Sequence, residues 1–230
     1  YKCDYVRMKD VTIFAPHSPV AAPSSDAIDL DACNNVHITG CHISVNDDII
    51  AIKGGKGPWA DTDPDNGVNT NILVEKCWFG KGPGVITFGS ECIGGRNVIL
   101  RDSEVHGATR VLQMKMRPDT PQRYEYVLVE NVTGEVRWAF YVHPWTQFFD
   151  LKGRKDIPMS YGEHVTIRNC RLTCTEQAIE IAEKPDQYLL SDIVIEDNNV
   201  FTELHQVPQR AQKKQDWELE KGTPEAEKNK

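Results

Sequence analysis

The sequence predicts an all-β protein built as a parallel β-helix, a solenoid in which short strands stack coil upon coil. A four-residue phrase of the form Asn/Asp/His/Tyr-Val-x-Ile recurs, and its second residues are Val11, Val36, Ile72, Val98, Val127, Val165 and Ile193. They are spaced 25, 36, 26, 29, 38 and 28 residues apart. A base period of about 25 residues with insertions is typical of solenoid coils.

A second stretch of alternating apolar residues follows the phrase in most units. Its copies are 27–30, 49–52, 85–88, 111–114, 139–142 and 178–181. The stretches are rich in β-branched residues, are separated by turn residues and lack the 3.6-residue period of a helix. Each coil is therefore expected to contain two or three short strands.

Small side chains occupy one further phase of the repeat. Five residues after the Val position stand Cys41, Cys77, Ser103, Val132, Cys170 and Asn198. Because free cysteine is readily buried, we expect the three cysteines of this column to be interior ladder residues rather than disulfide partners. The pairing of the other four stays open: Cys3, Cys33, Cys92 and Cys174. Since the chain has 7 cysteines, at least one thiol has no partner within it.

Length and composition indicate one solenoid domain followed by a tail. The chain has 230 residues, of which 40% are hydrophobic, and contains no apolar run long enough to span a membrane. We expect a β-helix domain over residues 1–208 and a charged tail rich in Lys, Glu and Gln over 209–230. The sequence begins almost inside a coil and without a signal peptide, so we also expect that N-terminal coils are missing from it.

Charge and motif content exclude several partners. A net charge of -8 argues against a nucleic-acid surface, although a local basic cleft still allows an anionic sugar. Residues 61–67 resemble a calcium loop, but the glycine comes one position late and the required glutamate is missing. We expect no metal and no cofactor.

Aspartates gather where the second strand of a coil begins. Aligning these strands by their apolar positions places Asp26, Asp48, Gly84 and Arg110 in one column, with Asp47 beside Asp48. Neighbouring parallel strands lie about 4.8 Å apart, so three carboxylates are expected in one small patch. Strict alternation would turn Asp26 and Asp48 inward, so the preceding turn has to direct them toward solvent.

Such a cluster suits acid–base cleavage of a glycosidic bond. Like charges a few ångström apart raise one another's pKa, which leaves one carboxylic acid protonated beside an ionised carboxylate. The acid protonates the leaving oxygen, and the carboxylate activates water. The alternative is that Asn46-Asp47-Asp48 is a polar turn capping a strand, and spacing alone does not separate the two.

Outward positions along the same strands supply candidate substrate-binding residues. Five residues past the strand entrance stand Asp31, Lys53, Gly89, Lys115 and His143, and three past it stand Asp29, Ala51, Thr87, Gln113 and Tyr141. An ammonium group on this face can hold a uronate carboxylate. We favour that role for Lys115. Lys53 is better explained as compensating Asp29 and Asp31, with substrate binding as its alternative.

Aromatic residues provide candidate sugar platforms. Loop 54–70 leaves the coil after Asp48 and is expected to wall the cleft, with Trp59 able to stack on a sugar. A second aromatic group comprises Trp138, Tyr141 and Trp145. Packing in the core or in a loop explains Trp138 equally well.

Four motifs at matching coil phase carry a resemblance to a known family. They are Ser24-Ser25-Asp26-Ala27-Ile28-Asp29-Leu30-Asp31, Asn46-Asp47-Asp48-Ile49-Ile50-Ala51-Ile52-Lys53, Gly89-Ser90-Glu91 and Gln113-Met114-Lys115. Together they resemble family 28 of the glycoside hydrolases, the polygalacturonase family of pectin-degrading enzymes. The resemblance covers roughly residues 11–195.

The resemblance implies a right-handed parallel β-helix that hydrolyses α-linked galacturonic-acid or related pectic glycosides with inversion. In family terms Asp47 looks like the general acid, and Asp26 and Asp48 look like the pair that activates water. Lys115 matches the lysine of an Arg-x-Lys motif that contacts the substrate carboxylate. Inversion predicts about 6.5–9.5 Å between acid and base. The family also implies a secreted or periplasmic protein.

Two departures from the family pattern keep other functions open. A histidine of the family is replaced by Gly84, and the arginine of Arg-x-Lys is replaced by Gln113. His106 or His143 is a candidate substitute for the histidine. The losses favour either a different pectic linkage or a non-catalytic carbohydrate-binding β-helix. A polysaccharide lyase or epimerase is a third possibility, but a lyase usually needs a cationic base and a metal.

Overall fold

The structure, a computed structural model, describes residues 1–156 and 158–202. The predicted tail at 209–230 lies outside these residues. The strands of the described part are Arg7–Lys9 (β1), Thr12–Phe14 (β2), Ile28–Asp31 (β3), Asn34–Thr39 (β4), His42–Ser44 (β5), Ile50–Lys53 (β6), Asn69–Glu75 (β7), Trp78–Phe79 (β8), Gly82–Phe88 (β9), Gly94–Met116 (β10), Arg123–Pro144 (β11), Ser160–Arg168 (β12), Arg171–Cys174 (β13), Ile179–Ile181 (β14), Tyr188–Glu196 (β15) and Asn199–Thr202 (β16). Within the described residues there is no helix that could cross a membrane.

The strands form three parallel stacks, one for each face of a coil. The first stack runs β1-β4-β7-β10-β11-β12-β15. The second contains β2, β5, β8, β13 and β16, and the third contains β3, β6, β9 and β14. Strands β10 and β11 are 23 and 22 residues long and pass through all three stacks. The strand pairs of the described residues are parallel, and the fold is the predicted right-handed parallel β-helix.

The Val column of the repeat is confirmed from the second coil onward. In the first stack Val36 pairs with Ile72, Ile72 with Val98, and the series continues to Ile193. The first coil was predicted wrongly. Arg7 pairs with His37, so the residue in this column is Val6. Thr12 pairs with His42, which places Val11 in the column of Cys41.

Left-handed backbone explains the polar residue at the start of each phrase. Asn35, Asn71 and Asn97 have φ of 55°, 57° and 57°, a conformation that Asn tolerates better than most residues. The Asn71 side chain donates to Asn35 Oδ1 at 3.0 Å, and Asn97 donates to Asn71 at 2.9 Å. A second left-handed turn precedes the second stack. Asp10 has φ of 55° and belongs to that turn, so it imitates the start of a phrase.

The cysteine ladder lies in the interior, as predicted. Cys41, Cys77 and Cys170 are buried, and the Cys41 amide donates to Cys77 Sγ at 3.4 Å. Burial raises the pKa of Cys77 to about 11, so this thiol stays protonated at neutral pH. All seven cysteines of the chain are free thiols. The ladder therefore contributes packing rather than covalent links.

Candidate active site

The entrance column of the third stack brings the predicted aspartates together. Asp26 stands two residues before Ile28, and Asp48 stands two residues before Ile50. Ile28 and Ile50 pair directly. Farther along the column Gly84 pairs with Arg110. The turn before β6 redirects the acidic side chains, because the Asp48 amide donates to Asp26 Oδ1 at 3.0 Å and to Asp47 Oδ1 at 2.9 Å. One backbone donor thus draws two carboxylates toward Asp48.

The carboxylates open into a groove on this face. One oxygen from each of Asp26, Asp47 and Asp48 lies within 4.8 Å of the others. The groove has a volume of about 880 Å³ and is also lined by Lys53, Gln113 and Lys115. Asp48 is almost fully buried, with 4% of its surface exposed, and forms part of the groove floor.

Two lysines balance two of the three carboxylates. Lys115 Nζ lies 2.7 Å from Asp48 Oδ2. Lys53 Nζ lies 3.1 Å from both Asp26 Oδ2 and Asp29 Oδ1. Burial alone would lower the pKa of Lys53, but its hydrogen bonds to Asp29 and Asp26 outweigh this and raise the pKa. Among the ion pairs of the described residues, Lys53 therefore has Asp29 as one of its two expected partners, and Asp26 rather than Asp31 as another.

Asp47 differs from the other two aspartates in having no lysine partner within the described residues, and its pKa is raised. Among the ion pairs of the described residues none involves Asp47, whereas Asp26 and Asp48 each have a lysine. Burial raises the pKa of Asp47, and the negative charges of Asp26 and Asp48 raise it further. The Asp48 amide and Lys115 oppose this shift without cancelling it. The cluster thus combines one carboxyl group with a raised pKa and two lysine-paired carboxylates.

The structure gives a steric reason for glycine at position 84. Buried Thr87 donates from Oγ1 to Asp48 Oδ1 at 2.9 Å. A Cβ added at Gly84 would lie 2.1 Å from this hydroxyl oxygen, far inside van der Waals contact. Any side chain at 84 therefore competes with the Thr87 hydroxyl. With glycine at position 84, the side-chain donors to Asp48 are Thr87 and Lys115.

We predict that Gly84→Ala destabilises the fold by about 1–3 kcal/mol, because the methyl group displaces a buried hydroxyl. In a Thr87→Ala background the same change should cost clearly less, since the obstructing oxygen is gone. Urea unfolding of the wild type, both single variants and the double variant measures this coupling. Strictly additive free energies would show that Thr87 does not restrict position 84.

Three of the predicted substrate-binding residues are not part of the groove lining. In the described part of the chain Trp59, Tyr141 and His143 do not line this groove. Trp59 is 51% exposed and stacks under the Arg154 guanidinium at 5.1 Å. The ring of His143 stacks on Tyr141 at 4.4 Å and contacts Glu180 at 2.7 Å.

The wall of the groove also differs from the expectation. Segment 145–148, which follows β11, contributes Trp145, Gln147 and Phe148 to the lining, and loop 54–68 does not contribute. That loop contacts the connection between β10 and β11, where the Gly57 amide donates to Thr120 Oγ1 at 2.8 Å. His106 pairs with Glu104 in the second stack, so neither histidine considered as a substitute reaches the cluster.

The strand alignment placed Arg110 in the column of the aspartates, but sequence reasoning missed its role in the site. It lines the groove, and its guanidinium lies 4.2 Å from the ring centre of Tyr141 and 5.2 Å from that of Trp138. The sequence signal for this role was the position of Arg110, because the strand alignment puts a cation in the same column as Asp26 and Asp48. His17 was also missed; its ring contacts Asn46, which precedes Asp47.

The spacing of the carboxylates does not decide between inversion and retention. Nearest oxygens lie within 4.8 Å of one another, whereas inverting pairs have carboxyl groups about 6.5–9.5 Å apart. A nearest-oxygen distance is shorter than the distance between carboxyl carbons, so this geometry does not choose between inversion and retention. The stereochemical outcome stays a prediction.

Comparisons with known proteins agree on one family. The family model for glycosyl hydrolases family 28 matches residues 1–134. An endo-polygalacturonase of Pectobacterium parmentieri is 32% identical over 178 residues, which cover 68% of this chain and 42% of that protein. A probable polygalacturonase of Vitis vinifera is 28% identical over 141 residues, or 60% of this chain and 28% of that protein.

A solved structure supports the fold. The hyperthermoactive exopolygalacturonase of Thermotoga maritima superposes with a TM-score of 0.63 at 20% identity, over 86% of this chain and 44% of that one. The chain thus spans less than half the length of each of these three relatives. The family model nevertheless matches more than half of the chain, and the chain belongs to family 28 of the glycosyl hydrolases.

Proposed function

We propose that this chain carries the catalytic centre of an inverting hydrolase of pectic polysaccharides or oligosaccharides, acting at a galacturonic-acid-containing or related linkage. The observation that carries the proposal is the asymmetric cluster, in which Asp26 and Asp48 are paired with lysines and Asp47 is not. Membership of the family supports the same chemistry. Relatives that this chain resembles are polygalacturonases.

Each carboxyl group has a distinct role in this mechanism. Asp47, whose pKa is raised, is the general acid that protonates the departing glycosidic oxygen. Asp26 and Asp48 hold the attacking water and accept its proton. Lys53 and Lys115 neutralise the two carboxylates, so this much negative charge is tolerated in one groove.

The substrate is bound along the groove. Lys115 and Gln113 lie beside the cluster, and Lys53 flanks it on the Asp26 side. Trp59, Tyr141 and His143 lie outside the groove lining and are candidates for contacts with neighbouring sugars. We assign residues 1–208 to this unit and no chemistry to 209–230, and we infer that the protein acts in a secreted or periplasmic setting.

A non-catalytic carbohydrate-binding β-helix is the second candidate. It is favoured by the replacement of two family residues at Gly84 and Gln113. A binding module would retain pectic oligosaccharides and release no product. A lyase or epimerase is the third candidate, and a lyase would give an unsaturated product that absorbs in the ultraviolet.

The proposal is tested by incubating the protein with polygalacturonate, galacturonate oligosaccharides and rhamnogalacturonans. We expect new reducing ends without ultraviolet absorbance, and proton NMR of the first product should show the inverted anomer. Retained configuration would exclude the inverting mechanism while keeping the hydrolase. Binding without any product would establish the second candidate, and ultraviolet-absorbing product the third.

A further inference from the structure

Unpaired buried polar atoms collect in and beside the groove. Among the described residues the buried side-chain nitrogens and oxygens without a hydrogen-bond partner are Arg110 Nε, Gln113 Oε1, Trp138 Nε1 and Trp145 Nε1. Three of these residues line the groove, and the Trp138 ring lies 5.2 Å from the Arg110 guanidinium. Buried polar groups in native proteins almost always have a partner. This concentration of exceptions indicates a place where a ligand supplies the missing partners.

Arg110 is held in place by contacts that leave its charge uncompensated. Its guanidinium packs against the rings of Tyr141 and Trp138, and Nη1 contacts the Pro83 carbonyl at 3.5 Å. No carboxylate of the described residues forms an ion pair with it. Burial lowers the pKa of Arg110, the direction expected for a cation kept from both water and a counter-ion.

The other cations of the groove are already engaged. Lys115 contacts Asp48 at 2.7 Å, and Lys53 contacts Asp26 and Asp29. Gln113 is 2% exposed and presents an unpaired acceptor, so it suits a hydroxyl group rather than an anion. An incoming carboxylate therefore finds its uncompensated cation at Arg110.

We propose that Arg110 determines specificity by binding the carboxylate of a uronic acid residue next to the catalytic cluster, with Trp145 Nε1 as a second donor and Gln113 Oε1 accepting from a sugar hydroxyl. This inference rests on the proposed function. Arg110 lies in the third-stack part of β10, which pairs with β9 from Ala108 onward, and stands three residues before Gln113. The entrance column thus supplies an arginine, whereas the arginine of the family's Arg-x-Lys motif is replaced by Gln113. Its planar fork matches a carboxylate in two parallel hydrogen bonds.

Binding is tested by calorimetry in the Asp47→Asn background, so that no turnover is needed. The ligands are trigalacturonate and its fully methyl-esterified counterpart, and the added variants are Arg110→Gln and Arg110→Lys. Arg110→Gln should weaken trigalacturonate binding about 10- to 100-fold and change binding of the ester less than about 3-fold, because a charged hydrogen-bonded pair is lost only with the acid. Arg110→Lys, which keeps the charge without the fork, should fall between.

Arg137→Gln is the matched control. Arg137 also stacks on Trp138, at 4.5 Å, but it is exposed and pairs with Glu176, so it should leave both affinities unchanged. Equal weakening of acid and ester in both Arg110 variants, unchanged affinity for the acid, or no binding of trigalacturonate at all would overturn the assignment. Failure of the wild type to cleave, with the acid-selective loss intact, would overturn the hydrolase and leave the assignment standing.

Discussion

Replacing Asp47 with Asn should reduce kcat by about 10²- to 10⁴-fold, the usual contribution of a positioned general acid. Asn keeps the shape and an oxygen that can accept from the Asp48 amide, as Asp47 Oδ1 does at 2.9 Å, but it has no acidic proton. Initial rates of reducing-end release on polygalacturonate measure the loss. Asp186→Asn, at an exposed position in a distant coil, is the matched control and should retain full activity.

The stability of the Asp47→Asn variant should change in the opposite direction to its activity. The pKa of Asp47 is raised in the folded state by burial and by Asp26 and Asp48. A raised pKa contributes stability below the unfolded value of 3.8, and that contribution is lost as pH rises through the folded value. Ionised Asp47 thus opposes folding at neutral pH, and Asn removes the opposition. In urea unfolding at pH 7, Asp47→Asn should be at least as stable as the wild type.

The two readouts together separate a catalytic aspartate from a capping one. If Asn46-Asp47-Asp48 is only a polar turn, activity persists in Asp47→Asn. A variant that loses both activity and stability would show that Asp47 supports the fold, and the acid role would then have to be assigned elsewhere.

The repeat was readable from sequence because the coil imposes two local requirements. A left-handed residue must precede the Val column, which selects Asn at 35, 71 and 97, and an interior column must stay small, which selects Cys41 and Cys77. The error at Val11 has the same origin. Each coil has a second left-handed turn, and in the first coil Asp10 fills it with a residue type that also begins phrases. The residue type alone does not show which of the two left-handed turns of a coil a residue occupies.

The carboxylate cluster was predictable for a related reason. Strand register is periodic, so Asp26 and Asp48 fall into one column as soon as Ile28 and Ile50 are aligned. Contacts made by long side chains and loops are not periodic. The engagement of Lys115 by Asp48, the stacking of Arg110 on Tyr141, and the wall formed by 145–148 depend on packing between coils, and alignment of single strands does not contain that information.

That wall is fastened by a buried ion pair just past the end of β10. Arg117 and Asp119 have side chains 3% and 2% exposed and form two parallel hydrogen bonds of 2.7 Å. Arg117 also donates to the Gln147 and Phe148 carbonyls, at 2.8 Å and 3.2 Å. Asp119 accepts from the Asp150 amide at 3.0 Å. The pair therefore joins the residues between β10 and β11 to segment 145–148, which lines the groove.

Removing one member of this pair should be strongly destabilising. Arg117→Met leaves the Asp119 carboxylate buried without its cation, for which we expect a loss of about 3–5 kcal/mol in the free energy of unfolding. Asp119→Leu should lose a similar amount. The double variant should lose clearly less than the sum, because replacing both charges by apolar groups leaves neither one buried alone. Urea unfolding of all four proteins gives the coupling energy, and additive losses would contradict a direct charge pair.

The pH dependence supplies an independent check on the same pair. Burial would raise the pKa of Asp119, but the hydrogen bonds from Arg117 and the Asp150 amide outweigh it and lower the pKa below 3.8. A lowered pKa contributes stability that is fully present above the unfolded value and is lost as pH falls through the folded value. The wild type should therefore lose stability below about pH 3.8 through this group, and Asp119→Leu should remove that part of the acid dependence.

The same pair should also affect substrate binding, because Arg117 holds the wall of the groove at residues 147–148. Any Arg117 or Asp119 variant that stays folded should show a higher KM with a smaller change in kcat. An unchanged KM would mean that segment 145–148 is held by its other contacts.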